Sequence, residues 1–422
     1  MRVVHLSTRD DGAGAFRGAR WLHDALRSHG VDSQMLVARR FSTDPTIHLT
    51  GPRWLAHAQH VVRRRLDKRA LPTAPGKLFS PARRSANLQP TLRRLHPDLL
   101  HLHWIADGFI RPEDFVGWGL PLVWTLRDQW AMTGGCHIPT PCRRYEAMCG
   151  ACPQLGSADE HDLSRQVWQR KRAAWEGCDL TVVGLSRWIA GCAAQSSLLG
   201  RFPITVIPNA IDTVRFAPTP KAAARAALGL PAEGQIILFG AHDAVQNRQK
   251  GYHLLVDALR QLTQAAQTGA VPPYHLVVFG AEAASGEEAL PLPMTFLGKI
   301  NDDARLALLY SAADLFAIPS LVESFGKTGA EALACGTPVV AFEETGLADV
   351  VAHAECGYLA PYGDSRGIAA GIRYVLEDAE RLAQLSTHAR ARALQHFAFA
   401  NVAAQYEALY ASILERRRMA HR

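Results

Sequence analysis

Strand and helix signals alternate along the whole chain, and that alternation leaves few architectures open to it. Short apolar runs bounded by Gly, Pro and Asp fall at Val3 to Ser7, Gln34 to Val37, Leu99 to Leu102, Leu122 to Leu126, Leu180 to Gly184 and Thr205 to Ile207. A second series follows at Ile236 to Phe239, His275 to Phe279, Leu315 to Ile318 and Pro338 to Ala341. Runs apolar on both faces mark parallel strands covered by helices. Amphipathic segments separate them. Phe16 to Ser28, for one, places Phe16, Ala19, Leu22 and Leu26 on one face, with Gly30 just past its end. Alternation run through twice predicts an α/β chain with two doubly wound sheets. Length agrees, because 422 residues exceed one ordinary core and suit two of roughly 200.

The break is expected in IPNAIDTVRFAPTP, where Pro208, Pro218 and Pro220 follow the last strand of the first series. This gives domains at 1–210 and 211–395, and a final helix at 396–422 expected to return to the first domain. Val402, Tyr406, Leu409 and Ile413 share one side of that helix. Both sheets are expected to point their strand C-termini into a cleft that takes the ligand.

The opening MRVVHLSTRDD lacks an apolar h-region, and no run reaches the ~18 apolar residues of a membrane span. A cytoplasmic location is expected. The net charge of +7 is concentrated in one stretch: Arg53, Arg63, Arg64, Arg65, Lys68, Arg69, Lys77, Arg83, Arg84, Arg93 and Arg94 stand against the single acid Asp67. No zinc-finger spacing or RNA-binding signature accompanies it, so nucleic acid is not expected as a partner. Trp54 to Pro72 sets Trp54, Leu55, Ala58, Val61, Val62 and Leu66 at helical spacing beside five basic residues, the composition of an interfacial helix on an anionic membrane. An ordinary surface helix packing its apolar stripe inward is the alternative.

The most informative stretch is PSLVESFGKTGAEALACGTPVVAF, Pro319 to Phe342. Ser324 or a neighbour is expected to cap a helix ending near Cys335, with Gly336 as its terminator. Free amides at 325–328, aided by the helix dipole, form an anion site, and Gly326 lets a diphosphate approach the backbone. A ligand capping that helix can touch a sugar hydroxyl to Glu323 and a ribose diol to Glu331.

Glu323 and Glu331, with EALACGTPVVAF, SAADLFAIPS, GLADVVA and GYLAP around them, resemble the paired-glutamate motif of retaining glycosyltransferase family four. The resemblance spans the chain. It implies the GT-B fold, two Rossmann-like domains, with the acceptor side in the first and the nucleotide sugar in the second. It gives Glu323 to the transferred sugar, Glu331 to the ribose, and the Ser324, Phe325, Gly326, Lys327 and Thr328 segment to the phosphates. Lys250, in NRQKGYHLL, falls at the phosphate-binding lysine. Ala241 stands where the family often has arginine, and Arg248 is the candidate to replace that charge. Gly280 would lie against the base. Gly12 and Gly14 form the loop facing diphosphate and acceptor, and His103 and Trp104 end a strand facing the cleft. Arg127-Asp128 replaces a common His-Asp, leaving Arg127 to bind a charged group or pair with Asp128. His137 is a further acceptor-side candidate.

Front-face displacement is implied, the leaving phosphate oxygen taking the acceptor proton. No Asp-x-Asp motif is placed for a bridging metal, so transfer is expected to need no metal or cofactor. The acceptor class implied is a glycan or lipid-linked oligosaccharide of cell-surface polysaccharide synthesis. A GT-B phosphorylase or epimerase, or an inactive donor-binding subunit, are the competing readings.

Cys136, Cys142, Cys149 and Cys152 lie together at spacings of five, six and two intervening residues. In a reducing compartment such a quartet suits tetrahedral zinc, with His137 as a substitute ligand. Redox-labile thiols and plain core cysteines are the alternatives. Cys178, Cys192, Cys335 and Cys356 read as small core residues.

Overall fold

The computed structural model describes residues 1–12, 14–69, 71, 78–241, 244–266, 274–282, 290 and 292–420. Two compact units result: Met1–Ala210 with Val402–Arg422, and Ile211–Asn401.

The first unit holds seven strands: β1 (Arg2–Arg9), β2 (Asp32–Arg39), β3 (Ile47–His48), β4 (Leu99–Leu102), β5 (Leu122–Leu126), β6 (Leu180–Gly184) and β7 (Ile204–Val206). Their order is β3-β2-β1-β4-β5-β6-β7, every pairing parallel. In β4, β5 and β6 every residue is buried, as a sheet covered on both faces requires. The second unit holds β8 (Gln235–Gly240), β9 (Tyr274–Phe279), β10 (Met294–Phe296), β11 (Leu315–Ile318), β12 (Val339–Phe342) and β13 (Gly357–Ala360). These run β10-β9-β8-β11-β12-β13, again all parallel. Ile237, Phe239, Leu276, Val278, Ala317 and Val340 pack there on Leu255, Leu259, Ile368 and Ile372 of the flanking helices. Each large aliphatic so buried contributes about 1.5–3 kcal/mol.

Strands β3, β10 and β13 lie outside the runs read from the sequence, being two, three and four residues long. Strand β12 begins after Pro338, not on it, because proline offers no amide to the ladder. Strand β7 is likewise displaced by one residue. In both sheets the strand order reverses at one place, between β1 and β4 and between β8 and β11. Ligands of open α/β sheets bind beyond the strand C-termini at such points.

Two features of the first unit's interior matter below. The helix Phe399–Ala420 buries Val402, Ala403, Tyr406, Tyr410 and Ile413, while Leu409 is only half-buried. Tyr410 Oη lies 2.6 Å from His101 Nδ1, and Tyr406 Oη lies 2.9 Å from Thr125 Oγ1. Register places His5 beside His101, with His103 two residues further along the same face. The three rings pack with centroids 4.3–5.1 Å apart and are buried.

Candidate functional site

In the second unit, the chain leaving β8 forms a tight turn at Arg248–Lys250, with the Asn247 side chain accepting from the Gln249 amide. Gly251 follows at φ +74°, and a Cβ there would lie 1.8 Å from Pro319 O. That approach lets Leu321 N donate to Gln249 O at 2.8 Å, tying the turn to the loop beyond β11. Lys250 Nζ consequently meets Glu323 Oε2 at 2.9 Å, both side chains about a quarter exposed. Arg248 points outward on the same turn. Ala241 is half-buried, and its neighbours 242 and 243 lie outside the described residues. Gly280 has φ +85° and leaves no room for a Cβ, which would sit 1.8 Å from Ala241 O.

The helix after Glu323 is Lys327–Ala334, and its cap is Gly326 at φ +91°, not Ser324. Its left-handed backbone turns the chain into the helix without offering a side-chain acceptor to the first amides. Among the described residues no side chain caps this helix by a hydrogen bond, and Leu347 closes over Gly326 so tightly that a Cβ would lie 2.2 Å from Leu347 Cδ2. Phe325 is buried edge-on against Phe397, while Ser324, Lys327 and Thr328 remain half-buried. Glu331 is fully buried and already engaged. Oε1 accepts from Lys327 Nζ at 2.9 Å and Oε2 from Tyr310 Oη at 3.0 Å.

In the first unit, Gly12 (φ +113°) arches over the Arg9 guanidinium. Gly14 opens the helix Gly14–Ser28, and Ala13 between them lies outside the described residues. His103 turns inward instead of facing a ligand. Its Nε2 pairs with His5 Nδ1 at 2.8 Å and its Nδ1 with Arg127 Nη2 at 3.2 Å. Arg127 does not pair with Asp128. It donates to Asn209 Oδ1 and to His103, and burial lowers its pKa to about 10. Gly18 makes the space, since a Cβ there would lie 2.5 Å from Arg127 Nη1.

Asp128 is instead the hub of a polar and aromatic group in the first unit. Its Oδ2 accepts from Trp104 Nε1 at 2.7 Å and pairs with His137 Nδ1 at 2.6 Å, while Oδ1 accepts from Trp130 N. Ser80 holds the other His137 nitrogen at 2.9 Å, and the Trp104 ring stacks on the imidazole with centroids 5.2 Å apart. Asn209, Ser80 and Tyr310 were not among the candidates read from the sequence. Asn209 had a signal, a polar residue just beyond a strand C-terminus in IPN; the other two had none.

The cysteine quartet lines one small cavity with Pro139 and Tyr145. Cys136 and Cys152 have sulfurs 3.9 Å apart, and Cys149 Sγ accepts from Gly134 N at 3.1 Å. The four sulfurs are not drawn to one point. Among the described residues, trios of ligand atoms within 4.8 Å of one another are His5, His101 and His103, and His23, Asp24 and Asp44.

A sequence profile described as "Glycosyl transferases group 1" matches residues 221–392. D-inositol 3-phosphate glycosyltransferase of Thermobispora bispora is 33% identical over 338 residues, covering 76% of this chain and 71% of that protein. Among solved structures, sucrose-phosphate synthase from Thermosynechococcus elongatus matches with TM-score 0.67 at 21% identity, over 99% of this chain and 100% of the other. Anabaena HepE, solved with UDP-glucose, matches with TM-score 0.62 at 19% identity, over 98% and 100%. These structural likenesses show the fold, two Rossmann-like units of the GT-B class. Relatedness over more than two thirds of the Thermobispora protein shows more: the chain belongs to the glycosyl transferases of group 1.

Proposed function

We propose that this chain is a retaining transferase of family four, moving a sugar from a nucleoside-diphosphate sugar to a glycan or lipid-linked acceptor in cell-surface polysaccharide synthesis. One observation carries the reading. The Lys250–Glu323 pair stands at the β8/β11 reversal, beside a helix start that, among the described residues, has no side-chain cap hydrogen bond. The HepE complex with UDP-glucose supports a nucleotide-sugar donor for a chain of this fold.

The arrangement suggests how each group works. A donor diphosphate at the Lys327–Ala334 amides draws Lys250 away from Glu323, because a phosphate oxygen is the stronger anionic partner. Glu323, released, accepts from a sugar hydroxyl. Charge then grows on the departing diphosphate, where Lys250 and the helix dipole hold it without a metal. In front-face displacement, a leaving phosphate oxygen takes the proton of the attacking hydroxyl, and Asp128 fixes Trp104 and His137 to orient the acceptor. Lys250→Ala is expected to lower kcat about 10²–10³-fold, and Glu323→Ala to reduce turnover with less effect on nucleotide binding. UDP-, GDP- and ADP-sugars are first screened by thermal stabilisation, since a ligand at 100 times its Kd adds about 2.7 kcal/mol. Wild-type kinetics for Lys250→Ala would remove it from the site. Ala241 favours one alternative, a donor-binding subunit without turnover, which the same assays separate.

The cysteine quartet is proposed to hold a structural zinc. Support comes from the 3.9 Å sulfur pair, near the edge of a tetrahedron with Zn–S bonds of about 2.3 Å, and from the Gly134 amide aimed at Cys149. Metal analysis of protein purified without added metal is expected to give about one zinc per chain, lost in Cys149→Ser or Cys152→Ser along with a few kcal/mol of stability. No stoichiometric zinc, with all four thiols alkylated in the native protein, would dismiss the metal.

A cytoplasmic, membrane-peripheral location is proposed from the helix Arg53–Lys68. It turns Ala56, His60 and Asp67 inward and presents Trp54, Val61, Val62 and Leu66 outward, Trp54 being 74% exposed. The stripe therefore does not pack on its own domain, and the single acid of the stretch is hidden while Arg64, Arg65, Lys68 and Arg69 are exposed. Lys77 lies outside the described residues, as do Ala70 and Pro72. No helix among the described residues is long and apolar enough to cross a membrane. Each basic residue near an anionic surface contributes about 1 kcal/mol, so changing Arg63, Arg64, Arg65 and Arg69 to Gln is expected to abolish pelleting with anionic vesicles at low salt. Equal pelleting of variant and wild type would refute the contact.

A further inference from the structure

Among the described residues, two arginines beside the Trp104, His137 and Asp128 group have no ion pair. Arg9 ends β1 and Arg39 ends β2, neighbours in the sheet, so both emerge at the strand C-termini. Phe41 holds them together: the Arg9 guanidinium carbon lies 4.6 Å from its ring centroid and that of Arg39 5.1 Å. Neither guanidinium has a hydrogen bond or ion pair among the described residues, and the Nε of each is buried without a partner. The adjacent acids are committed elsewhere. Asp10 accepts from Phe41 N, Ser42 N and Ser42 Oγ, fixing the loop that carries the ring, and exposed Asp11 accepts from Gly12 N. Arg64, also near, is spoken for by Asp107 at 3.1 Å. Nor is the pair isolated. Arg9 also lies over Phe16, 5.5 Å from its centroid, and Phe16 packs edge-on against Trp104 at 5.3 Å. The arginines thus extend the row formed by Trp104, His137 and Asp128.

Like charges fixed side by side on an aromatic ring, with their own acids turned to backbone amides, are arranged for an anion from outside. We propose that Arg9 and Arg39 bind a phosphoryl group carried by the acceptor, so that the acceptor is a phosphorylated or diphosphate-linked sugar. This rests on the transferase reading above and names the acceptor's chemical class within it.

The test is calorimetric titration of inorganic pyrophosphate into the full chain, for wild type, Arg9→Gln/Arg39→Gln, Arg9→Lys/Arg39→Lys and Lys250→Ala. Wild type is expected to show two sites. One disappears in Lys250→Ala; the other weakens about tenfold or more in the glutamine pair and persists in the lysine pair. Should the glutamine pair fail to fold, Arg39→Gln alone is read against Arg39→Lys. Wild-type affinity at both sites in a folded glutamine variant would overturn the subsite and leave the donor reading standing. A single site that needs the arginines but not Lys250 would support the subsite and count against the donor reading. Two further arms separate the sources of phosphate. Phosphatidylcholine vesicles carrying a polyprenyl diphosphate test a lipid-linked acceptor, and a hexose phosphate in solution tests a soluble one. Arginine-dependent binding in either arm supports the subsite and identifies the source; binding in neither overturns it.

Discussion

Between pH 7.5 and pH 5, the first unit is expected to lose stability progressively. Burial holds His5, His101 and His103 well below the ordinary histidine range; after burial, the next cause is His101 for His5 and His103, and Arg127 for His101. Burial likewise brings His23 down to about 3. His23 stays neutral in the folded chain at pH 5 and the other three resist protonation there, whereas in the unfolded chain all four take up protons below about pH 6.5. Stability from these groups is therefore complete above pH 6.5 and declines as pH falls, by up to about 1.4 kcal/mol per unit for each histidine. For His23 that is about 2 kcal/mol at pH 5, and the three stacked histidines act in the same direction, against a typical total of 5–15 kcal/mol. Asp67, pushed up to about 6 by burial, works in the opposite direction, but as one carboxyl. Denaturant titrations at pH 7.5, 6.5 and 5, followed by tryptophan fluorescence, provide the check. An unfolding free energy level across that range would mean that the stack is protonated or open in solution.

Glu331→Ala is expected to cost about 3–5 kcal/mol of the second unit's stability and to weaken nucleotide binding. The substitution takes one shared acceptor from the Lys327 ammonium and the Tyr310 hydroxyl, both largely inside the unit. Glu331→Gln keeps an acceptor of the same shape without the charge and should fall between. Because both carboxylate oxygens are already engaged, a ribose diol would have to share them. Hence the two consequences are separable. Denaturation reads the internal role and calorimetry with UDP, GDP and ADP reads the ligand role. A variant that unfolds like wild type would deny the first, and one that binds all three nucleotides like wild type would deny the second.

Legibility in the sequence followed the range of the interaction. Strands such as Leu99–Leu102 and Leu122–Leu126 could be read to the residue, because burial on both faces leaves an unbroken apolar run. The Lys250–Glu323 meeting spans 73 positions, and only a family motif suggested it. The cap could be read only to Ser324 or a neighbour, and falls on Gly326, because backbone conformation, unlike a capping hydroxyl, has no side-chain signature. His103 looked open at a strand end, and nothing nearby announced His5, 98 residues earlier, as its partner. For Arg53–Lys68 the sequence offers both an outward, membrane-facing stripe and an inward one, since periodicity shows that a helix has two faces and not which one the domain covers.

The clasp of Tyr406 and Tyr410 on Thr125 and His101 has a bearing on biogenesis. These tyrosines emerge from the ribosome after the entire second unit, although they complete the first. At about 5–20 residues per second, the nascent first unit waits about 10–40 s for them. During that interval the hydroxyls that His101 and Thr125 receive from the tyrosines are missing, and the surface the helix will cover is open to holdase chaperones. The second unit, continuous from Ile211 to Asn401, has no such delay. Order of synthesis and order of completion are thus reversed in this chain.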